Sequence, residues 1–435
     1  MGFYMNKIPI GLNLKHGTIQ KFTLHRNLTS TPNKNILLLA QQGSGKTNLL
    51  MLNIYMMYKT YLETGSDFGC LPIIFTPTYE FLKMSRPSKN VNMPPELVPE
   101  GINASHITFE CCEPIDSELL EIVSFKFNDL TVEDICAFAG LANDSSIFGA
   151  VQKIKERIEY GWIEKIKVEE EYSTKNGEIK TKMVSKEIEH PPNPDYNVDD
   201  FIEMVVSENS LKNALYYVYT KLKKLGMFNE DKIFDLRELI KRQKPIIFHF
   251  GDLDDKNIMS SLAGIIMRKL WEIGQEYYNA TLKTRKDVFT DWEMFLLKNF
   301  TIGLFMEEAH QILYATRSGG MAIESNHPAH AWFKKITTLM GRKRGFKYSF
   351  IITQAFMEIF YGVRKKFTFL MIGDSIFPDD INFIESDLKV NPKHLIKMTR
   401  LPKFSWTILD IEKYGKRKAG CASKFRSYLS PCGID

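Results

Sequence analysis

The sequence predicts an α/β protein in which a mainly parallel β-sheet is flanked by helices, and three observations support this fold class. Short apolar runs rich in Ile, Leu and Phe alternate with longer segments of helical spacing. Most of these runs show no alternation of apolar and polar residues, as expected for strands buried on both faces. The 435 residues suffice for one large α/β domain with insertions, or for two domains.

The predicted strands are short runs of β-branched and aromatic residues, at 35–40, 71–76, 107–111, 245–250, 302–306, 348–353, 367–372 and 405–410. Length and spacing predict helices at 47–62, 259–273 and 332–341. Strands and helices therefore alternate through most of the chain, which favours a parallel sheet with crossover helices.

The middle third departs from this alternation. Between residues 161 and 188, charged and apolar residues alternate around Asn176 and Gly177, a pair that favours a type I′ hairpin turn. The proline-rich segment 189–194 cannot continue a strand or a helix. We therefore predict a β-hairpin inserted into a core domain. The predicted boundaries are 1–34 for an N-terminal lead-in, 35–160 and 205–412 for the core, 161–204 for the inserted hairpin and linker, and 413–435 for a basic C-terminal tail.

Composition argues against several classes of protein. The six cysteines form no C-x-x-C pair and no His/Cys cluster at zinc-finger spacing, so we expect reduced thiols, with Cys111 and Cys112 as strand residues. No segment approaches the roughly 18 to 20 apolar residues of a membrane span, so we expect a cytoplasmic protein without direct membrane insertion. The net charge of +5 is too small to indicate a polyanion partner by itself.

A phosphate-binding loop is the strongest motif. The apolar strand ending at Ala40 leads through a Gly-rich loop into an apolar helix. In such loops backbone N–H groups converge on phosphates at a helix N-terminus, the lysine neutralises β- and γ-phosphate oxygens, and the hydroxyl binds Mg²⁺. We predict that ATP and Mg²⁺ bind here. The predicted nucleotide-binding residues are Gln42, Gly43, Ser44, Gly45, Lys46, Thr47 and Asn48. Ala40 stands where many such loops have glycine.

Two consecutive carboxylates follow another predicted strand. Glu307 and Glu308 end the apolar run 302–306. One carboxylate suits the magnesium ion and its water shell, and we assign this role to Glu307; the other suits polarisation of the attacking water, and we assign it to Glu308. An acidic helix N-terminus favoured by the helix dipole is the alternative.

A third strand ends in the neutral amide of Gln354, which could orient the attacking water or contact the γ-phosphate. If this strand lies between the phosphate-loop strand and the Glu307 strand, Gln354 meets both sites at the carboxyl edge of the sheet. We therefore predict Lys46, Glu308 and Gln354 as catalytic residues.

A basic segment precedes the Gln354 strand. Arg342 and Arg344 are candidates for an arginine finger that reaches the ATP of a neighbouring subunit, and we prefer Arg342. The alternative is that these residues only complement the dipole at a helix C-terminus.

Taken in order, these motifs resemble the HerA/FtsK superfamily of hexameric DNA-pumping ATPases, which includes conjugation and virus genome-packaging ATPases. The resemblance covers roughly residues 1–160 and 205–420 and rests on the blocks 43–47, 73–81, 307–310 and 341–354. Thr76 and Glu307 both stand where the family commonly has aspartate. Residues 1–34 are too few for the N-terminal β-barrel of HerA, which favours a packaging or conjugation-type motor.

The resemblance implies a RecA-like (ASCE) P-loop NTPase fold that assembles as a homo-hexameric ring, with ATP between subunits. It also implies double-stranded DNA in the lumen, held by its backbone phosphates, and leaves a membrane or capsid protein as a further partner. The candidate DNA contacts are Arg317, Lys334 and Lys335, with the tail residues Lys413, Lys416, Arg417, Lys418, Lys424 and Arg426, for which a solvated charge run is an equal alternative.

Two other classes of function remain open from the sequence. A secretion-type motor acting on a protein substrate or pilus would hydrolyse ATP without responding to DNA. A slow nucleotide-binding switch would depend little on Glu308, and the paired carboxylates with Gln354 argue against it.

Overall fold

The computed structural model describes most of the chain. The described residues are 11–13, 21–22, 34–65, 69–89, 99–138, 140, 145–174, 179–207, 212–226, 228, 232–251, 253–284, 289–315, 317–318, 321–322, 327–339, 345–373, 378–399, 404–411 and 422–427. The chain forms two compact units, one of residues 1–123 with 234–435 and one of residues 124–233.

The strands within the described residues are short and mostly buried. In chain order they are β1 (Gly11–Asn13), β2 (Lys21–Phe22), β3 (Asn35–Leu39), β4 (Leu71–Thr76), β5 (Ser105–Phe109), β6 (Leu120–Val123), β7 (Trp162–Ser173), β8 (Ile179–His190), β9 (Ile246–His249), β10 (Ile302–Met306), β11 (Arg317–Ser318), β12 (Met321–Ala322), β13 (Phe346–Thr353), β14 (Phe369–Ile372), β15 (Ser405–Asp410) and β16 (Ala422–Ser427).

The α-helices range from single turns to a helix of 27 residues. They are α1 (Lys46–Thr64), α2 (Val132–Phe138), α3 (Ser145–Tyr160), α4 (Val198–Ser207), α5 (Lys212–Lys224), α6 (Leu236–Lys241), α7 (Lys256–Leu282), α8 (Asp291–Asn299), α9 (Ala309–Ile312), α10 (Pro328–Leu339), α11 (Tyr361–Arg364), α12 (Pro378–Leu388) and α13 (Pro392–Thr399).

The first unit is built on a 12-stranded sheet of order β2-β1-β16-β15-β14-β3-β13-β10-β4-β9-β5-β6. From β14 to β6 all neighbouring strands are parallel. The strand β13 lies between β3 and β10, as the role proposed for Gln354 requires. The sheet is that of the RecA-like P-loop NTPase fold expected from the motifs.

The central strands are buried on both faces because most of their side chains are apolar at successive positions. Every residue of β3, β4, β9 and β10 is buried. The polar residue Asn35 begins β3 and is fully buried. Its Nδ2 donates to the Lys366 carbonyl at 3.1 Å, and its Oδ1 accepts from the Ser349 hydroxyl at 2.8 Å. These bonds join β3 to the segments on both sides.

The predicted strands at 71–76, 302–306 and 405–410 have the bounds seen in the structure. The strand predicted at 107–111 was misplaced: β5 ends at Phe109, and Glu110–Cys112 forms a 3₁₀ helix, so Cys111 and Cys112 are not strand residues. Glu113 adopts a left-handed conformation with φ of 49°, which ends this segment.

Segments assigned to the predicted lead-in and tail contribute strands at one end of the sheet. β16 lies within the predicted basic tail and pairs antiparallel with β15 and with β1. Arg426, a tail candidate for DNA contact, is an exposed residue of this strand. Lys413, Lys416, Arg417 and Lys418 lie outside the described residues, as does the side chain of Lys424.

The second unit contains α2 to α5 and the predicted hairpin. β7 and β8 pair antiparallel from Trp162 opposite His190 to Ser173 opposite Ile179. The predicted turn at Asn176 and Gly177 lies outside the described residues. The buried rings of Phe127, Tyr196 and Phe201 form an aromatic core, with centroids of Phe127 and Phe201 5.4 Å apart. The unit thus has apolar packing of its own.

Within the described part of the chain, none of the helices combines the length and the apolar character needed to cross a membrane.

Replacing Asn35 by Ala should lower the free energy of unfolding of the first unit by about 1–3 kcal/mol, because the buried Ser349 hydroxyl would lose its acceptor and the half-buried Lys366 carbonyl would lose its donor. Urea denaturation followed by fluorescence measures the change. Asn299→Ala is the matched control, since the amide of Asn299 donates one local bond to the Phe295 carbonyl. Equal, small effects of both substitutions would contradict the role assigned to Asn35.

Candidate nucleotide-binding site

The phosphate loop joins the buried strand β3 to the N-terminus of α1. Gly43 and Gly45 have φ of 77° and 91°, a left-handed conformation that favours glycine. Gly45 is the N-cap of α1, so the first backbone N–H groups of the helix have no helical acceptor. The Ser44 hydroxyl donates to the Gln41 carbonyl at 2.7 Å, which stabilises the turn. This geometry suits an anion at the helix N-terminus.

The predicted nucleotide-binding residues differ in exposure. Gln42 and Gly43 are exposed at the tip of the loop, and Gly45 and Thr47 are half-buried. Ser44, Lys46 and Asn48 are buried. The tip of the loop is therefore exposed, while the side chain of Lys46 is buried inside the loop.

Lys46 lies inside the loop. Its Nζ donates to the Ala40 carbonyl at 2.9 Å and lies 3.6 Å from Glu308 Oε1. Burial lowers the pKa of Lys46, and the charge and hydrogen bond of Glu308 oppose this effect. The ammonium group of Lys46 can exchange these two contacts for hydrogen bonds to phosphate oxygens when a nucleotide binds.

Glu307 connects the ends of several strands. It follows β10, and its backbone N–H donates to the Phe75 carbonyl in β4 at 2.9 Å. The hydroxyls of Thr47 and Thr76 donate to its Oε1 and Oε2, each at 2.8 Å. Burial raises the pKa of Glu307 from 4.5 to about 7, although both hydroxyls lower it.

The oxygen atoms of Thr47 and Glu307 fit a magnesium ion. A hydroxyl and a carboxylate oxygen 2.8 Å apart beside the phosphate loop are the ligand types that Mg²⁺ prefers, together with water and phosphate oxygens. The first-turn hydroxyl and the strand-end carboxylate predicted from the sequence are thus brought together.

Glu308 adopts a left-handed conformation with φ of 42°, which is uncommon for a residue other than glycine. Its Oε2 accepts no hydrogen bond from the described part of the chain and lies 3.4 Å from His310 Nδ1. Lys46 and His310 therefore flank its carboxylate. Burial lowers the pKa of His310, against the opposing charge of Glu308.

The strand β13 brings Gln354 to the same edge of the sheet. Thr353, its last residue, has its Oγ1 3.1 Å from His310 Nδ1 and accepts from the Ala355 N–H at the same distance. Gln354 is half-buried, directly after the strand. His310 therefore connects the carboxylate of Glu308 to the strand end that carries Gln354.

Sequence reasoning identified the two carboxylates, but not Thr76, which donates to Glu307, or Thr353, which contacts His310. Phe75 lies opposite Met306 in the parallel register of β4 and β10. Alignment of these two strand ends would have placed Thr76 beside Glu307. No comparable sequence pattern indicates Thr353, because it contacts His310 and not a carboxylate.

The remaining candidates do not join this cluster. Arg342 and Arg344 lie outside the described residues, as does the side chain of Arg317 in β11. Lys334 is exposed on α10, while Lys335 Nζ lies 3.7 Å from the centroid of the Trp332 ring. Lys335 thus makes a cation–π contact, and its availability to DNA stays a prediction.

No family model matches the chain, and no curated protein matches it. Similar solved structures include the genome packaging NTPase B204 from Sulfolobus turreted icosahedral virus 2 in complex with ATP-gammaS. This structure has 10% sequence identity and a TM-score of 0.34, with 92% of this chain and 100% of that chain covered. The sulfate complex has 8% identity, a TM-score of 0.35, and 92% and 98% coverage.

The crystal structure of B204, the DNA-packaging ATPase from Sulfolobus Turreted Icosahedral Virus, has 15% identity and a TM-score of 0.27. It covers 45% of this chain and 72% of that chain. Virus genome-packaging ATPases, which the motifs resemble, are thus among the similar solved structures. The fold of this chain is established by its own strand order.

The free energy of unfolding of Glu307→Gln should exceed that of the wild type at alkaline pH when nucleotide and divalent cations are removed. Because the pKa of Glu307 rises from 4.5 to about 7 on folding, ionising Glu307 destabilises the folded state increasingly between these values. The amide of the variant does not ionise and so has no such penalty. The free energy of unfolding of Glu307→Gln should therefore exceed that of the wild type by about 3 kcal/mol above pH 8, and this difference should vanish near pH 4.5.

Urea denaturation in the presence of a chelator, at several pH values between 5 and 8.5, tests this expectation. Glu385→Gln provides the control, since Glu385 is exposed on α12. A difference between the Glu307 variant and the wild type that does not change with pH would contradict it.

Proposed function

We propose that this protein is an ATP hydrolase that acts as a ring-forming motor on double-stranded DNA. One observation carries the hydrolase proposal: Lys46, Glu307 and Glu308 converge at the carboxyl edge of the sheet, with the Gln354 strand between β3 and β10. Ligands of open α/β sheets bind at this edge.

Each group has a distinct role in the proposed reaction. The loop N–H groups and Lys46 bind the phosphates and neutralise charge that develops on the γ-phosphate and the leaving oxygen. Thr47 and Glu307 would hold the magnesium ion, which supplies electrostatic stabilisation of the phosphates when bound. Glu307 would be ionised in the metal-bound state, since a cation disfavours protonation of an adjacent carboxylate.

Glu308 is the proposed base that orients and polarises the attacking water. Its Oε1 is 3.6 Å from Lys46 Nζ. Phosphate oxygens compete for the same ammonium group, so nucleotide binding weakens this pairing and frees Glu308 to contact water. His310 keeps the carboxylate near Thr353, and the adjacent Gln354 contacts the γ-phosphate or the water.

The motor part of the proposal is supported by the resemblance of the four sequence blocks to the HerA/FtsK superfamily. It includes a homo-hexameric ring, Arg342 or Arg344 acting on the ATP of a neighbouring subunit, and DNA held by its phosphates. Arg317, Lys334 and Lys335 are proposed for that contact, since phosphate contacts require basic groups but no base readout. The proposed setting is genome packaging, conjugation, or chromosome or plasmid processing in the cytoplasm, with a capsid or membrane protein as a further partner.

Glu308→Gln should reduce the steady-state ATPase rate by about 10²–10⁴-fold, because the amide cannot accept a proton from water. In the wild type, double-stranded DNA should stimulate hydrolysis, and stimulation should fade as salt rises, since phosphate contacts release counterions. Rates across a salt series, with and without DNA, measure both effects.

Glu385→Gln is the matched control for this experiment and should retain the wild-type rate. Hydrolysis that DNA leaves unchanged at every salt concentration would favour a secretion-type motor acting on protein. A Glu308→Gln variant as active as the wild type would instead contradict the base assignment and favour a slow switch.

Mixing two inactive variants tests the arginine in trans. If Arg342 acts on the neighbouring site, Arg342→Ala supplies an intact Glu308 and Glu308→Gln supplies an intact arginine. In a ring assembled at random from equal amounts of the two variants, roughly a quarter of the interfaces would then have both an intact Glu308 and an intact Arg342. The ATPase rate of the mixture should exceed the sum of the separate rates. Arg344→Ala mixed in the same way is the control, and no gain with either arginine variant would remove the trans assignment.

A further inference from the structure

An aromatic side chain lies against the phosphate loop on a segment that the reaction does not use. Phe404 immediately precedes β15 and is half-buried. A Cβ built on Gly45 would lie 2.4 Å from Phe404 Cδ1 and 2.6 Å from Cε1. The ring therefore packs directly on the glycine that caps α1, and any larger residue at position 45 would displace it.

The backbone of Phe404 is strained. Its φ is 60°, a left-handed conformation that is an outlier for a bulky residue. The surroundings hold it there: its carbonyl accepts from the Ser427 N–H at 2.8 Å and from the Ser427 hydroxyl at 3.3 Å. Trp406 Nε1 donates to the same hydroxyl at 3.3 Å. A conformation that glycine adopts freely is thus occupied by a residue with a large aromatic ring.

The strand order fixes the direction in which a nucleotide would lie. Lys46, Glu307 and Glu308 mark the γ-phosphate end, on the side of β3 that faces β13 and β10. Phe404 immediately precedes β15, which lies on the opposite side of β3, beyond β14. A nucleotide whose γ-phosphate meets the carboxylates must direct its nucleoside away from them, toward the side of the loop that Phe404 covers.

We propose that Phe404 is the stacking surface for the base of the bound nucleotide; this inference rests on the proposed nucleotide binding. A flat, half-buried aromatic ring next to the loop is a group on which a purine base can stack. Stacking alone distinguishes poorly between purines because every base has a π-face. Phe404 therefore contributes affinity for the nucleoside and not for the phosphates.

The experiment compares Mg²⁺-ATP with inorganic tripolyphosphate, which carries the phosphates without a base. Phe404→Gly should weaken ATP binding by about 10- to 100-fold, the loss expected for one base–aromatic stack. The affinity for tripolyphosphate should stay at the wild-type value. Phe404→Tyr should retain ATP affinity, since the phenol keeps the aromatic face. Isothermal titration calorimetry gives the dissociation constants, and glycine suits φ of 60°, so the variant should fold.

Three outcomes would overturn the inference. Equal loss of ATP and tripolyphosphate affinity in Phe404→Gly would mean that the ring only shapes the phosphate loop. Tighter binding of both ligands would mean that the ring obstructs the site. Unchanged affinity for both would exclude a role in binding. Failure of the wild type to bind either ligand would contradict the proposed nucleotide binding itself, and the inference would fall with it.

Discussion

A buried carboxylate joins the parts of the sheet on which the proposed chemistry depends. Glu307 accepts one hydrogen bond from Thr47 at the start of α1 and one from Thr76 at the end of β4. It follows β10, so the two bonds fix the position of the phosphate loop relative to two other strand ends. Since β13 lies between β3 and β10, the same constraint brings Gln354 to the loop. A change of strand order would separate all these groups.

The site buries two ionisable side chains, and the surrounding residues do not fully offset the cost of burying their charges. Lys46 is 7% exposed and Glu307 is 5% exposed, and burial lowers the pKa of the lysine while it raises that of the glutamate. Both shifts disfavour the charged forms of these side chains. Phosphates and a divalent cation would favour those charged forms. Perturbed pKa values of this kind are common at functional sites, where stability is lost in favour of ligand binding.

Several elements follow directly from local pattern. The strands β4, β10 and β15 were predicted with the observed bounds, because each is a short run rich in β-branched or aromatic residues, which favours a buried strand. The strand at 107–111 was misplaced, since Glu110–Cys112 has a composition suited to a strand but turns as a 3₁₀ helix. The strand β16 was not predicted, because its pairing with β1 joins distant segments that carry only weak signals.

The sequence by itself determined the chemical groups of the site and their order: a loop of two glycines with Lys46 and Thr47, two carboxylates after an apolar strand, and an amide after another. Local motifs encode these groups because the loop, its strand and its helix are contiguous. Only the tertiary structure decided their neighbours, including Thr76 beside Glu307, His310 between Glu308 and Thr353, and Phe404 against Gly45. The physical reason is that strand order and register are set by packing across the whole sheet, which a local sequence pattern does not specify.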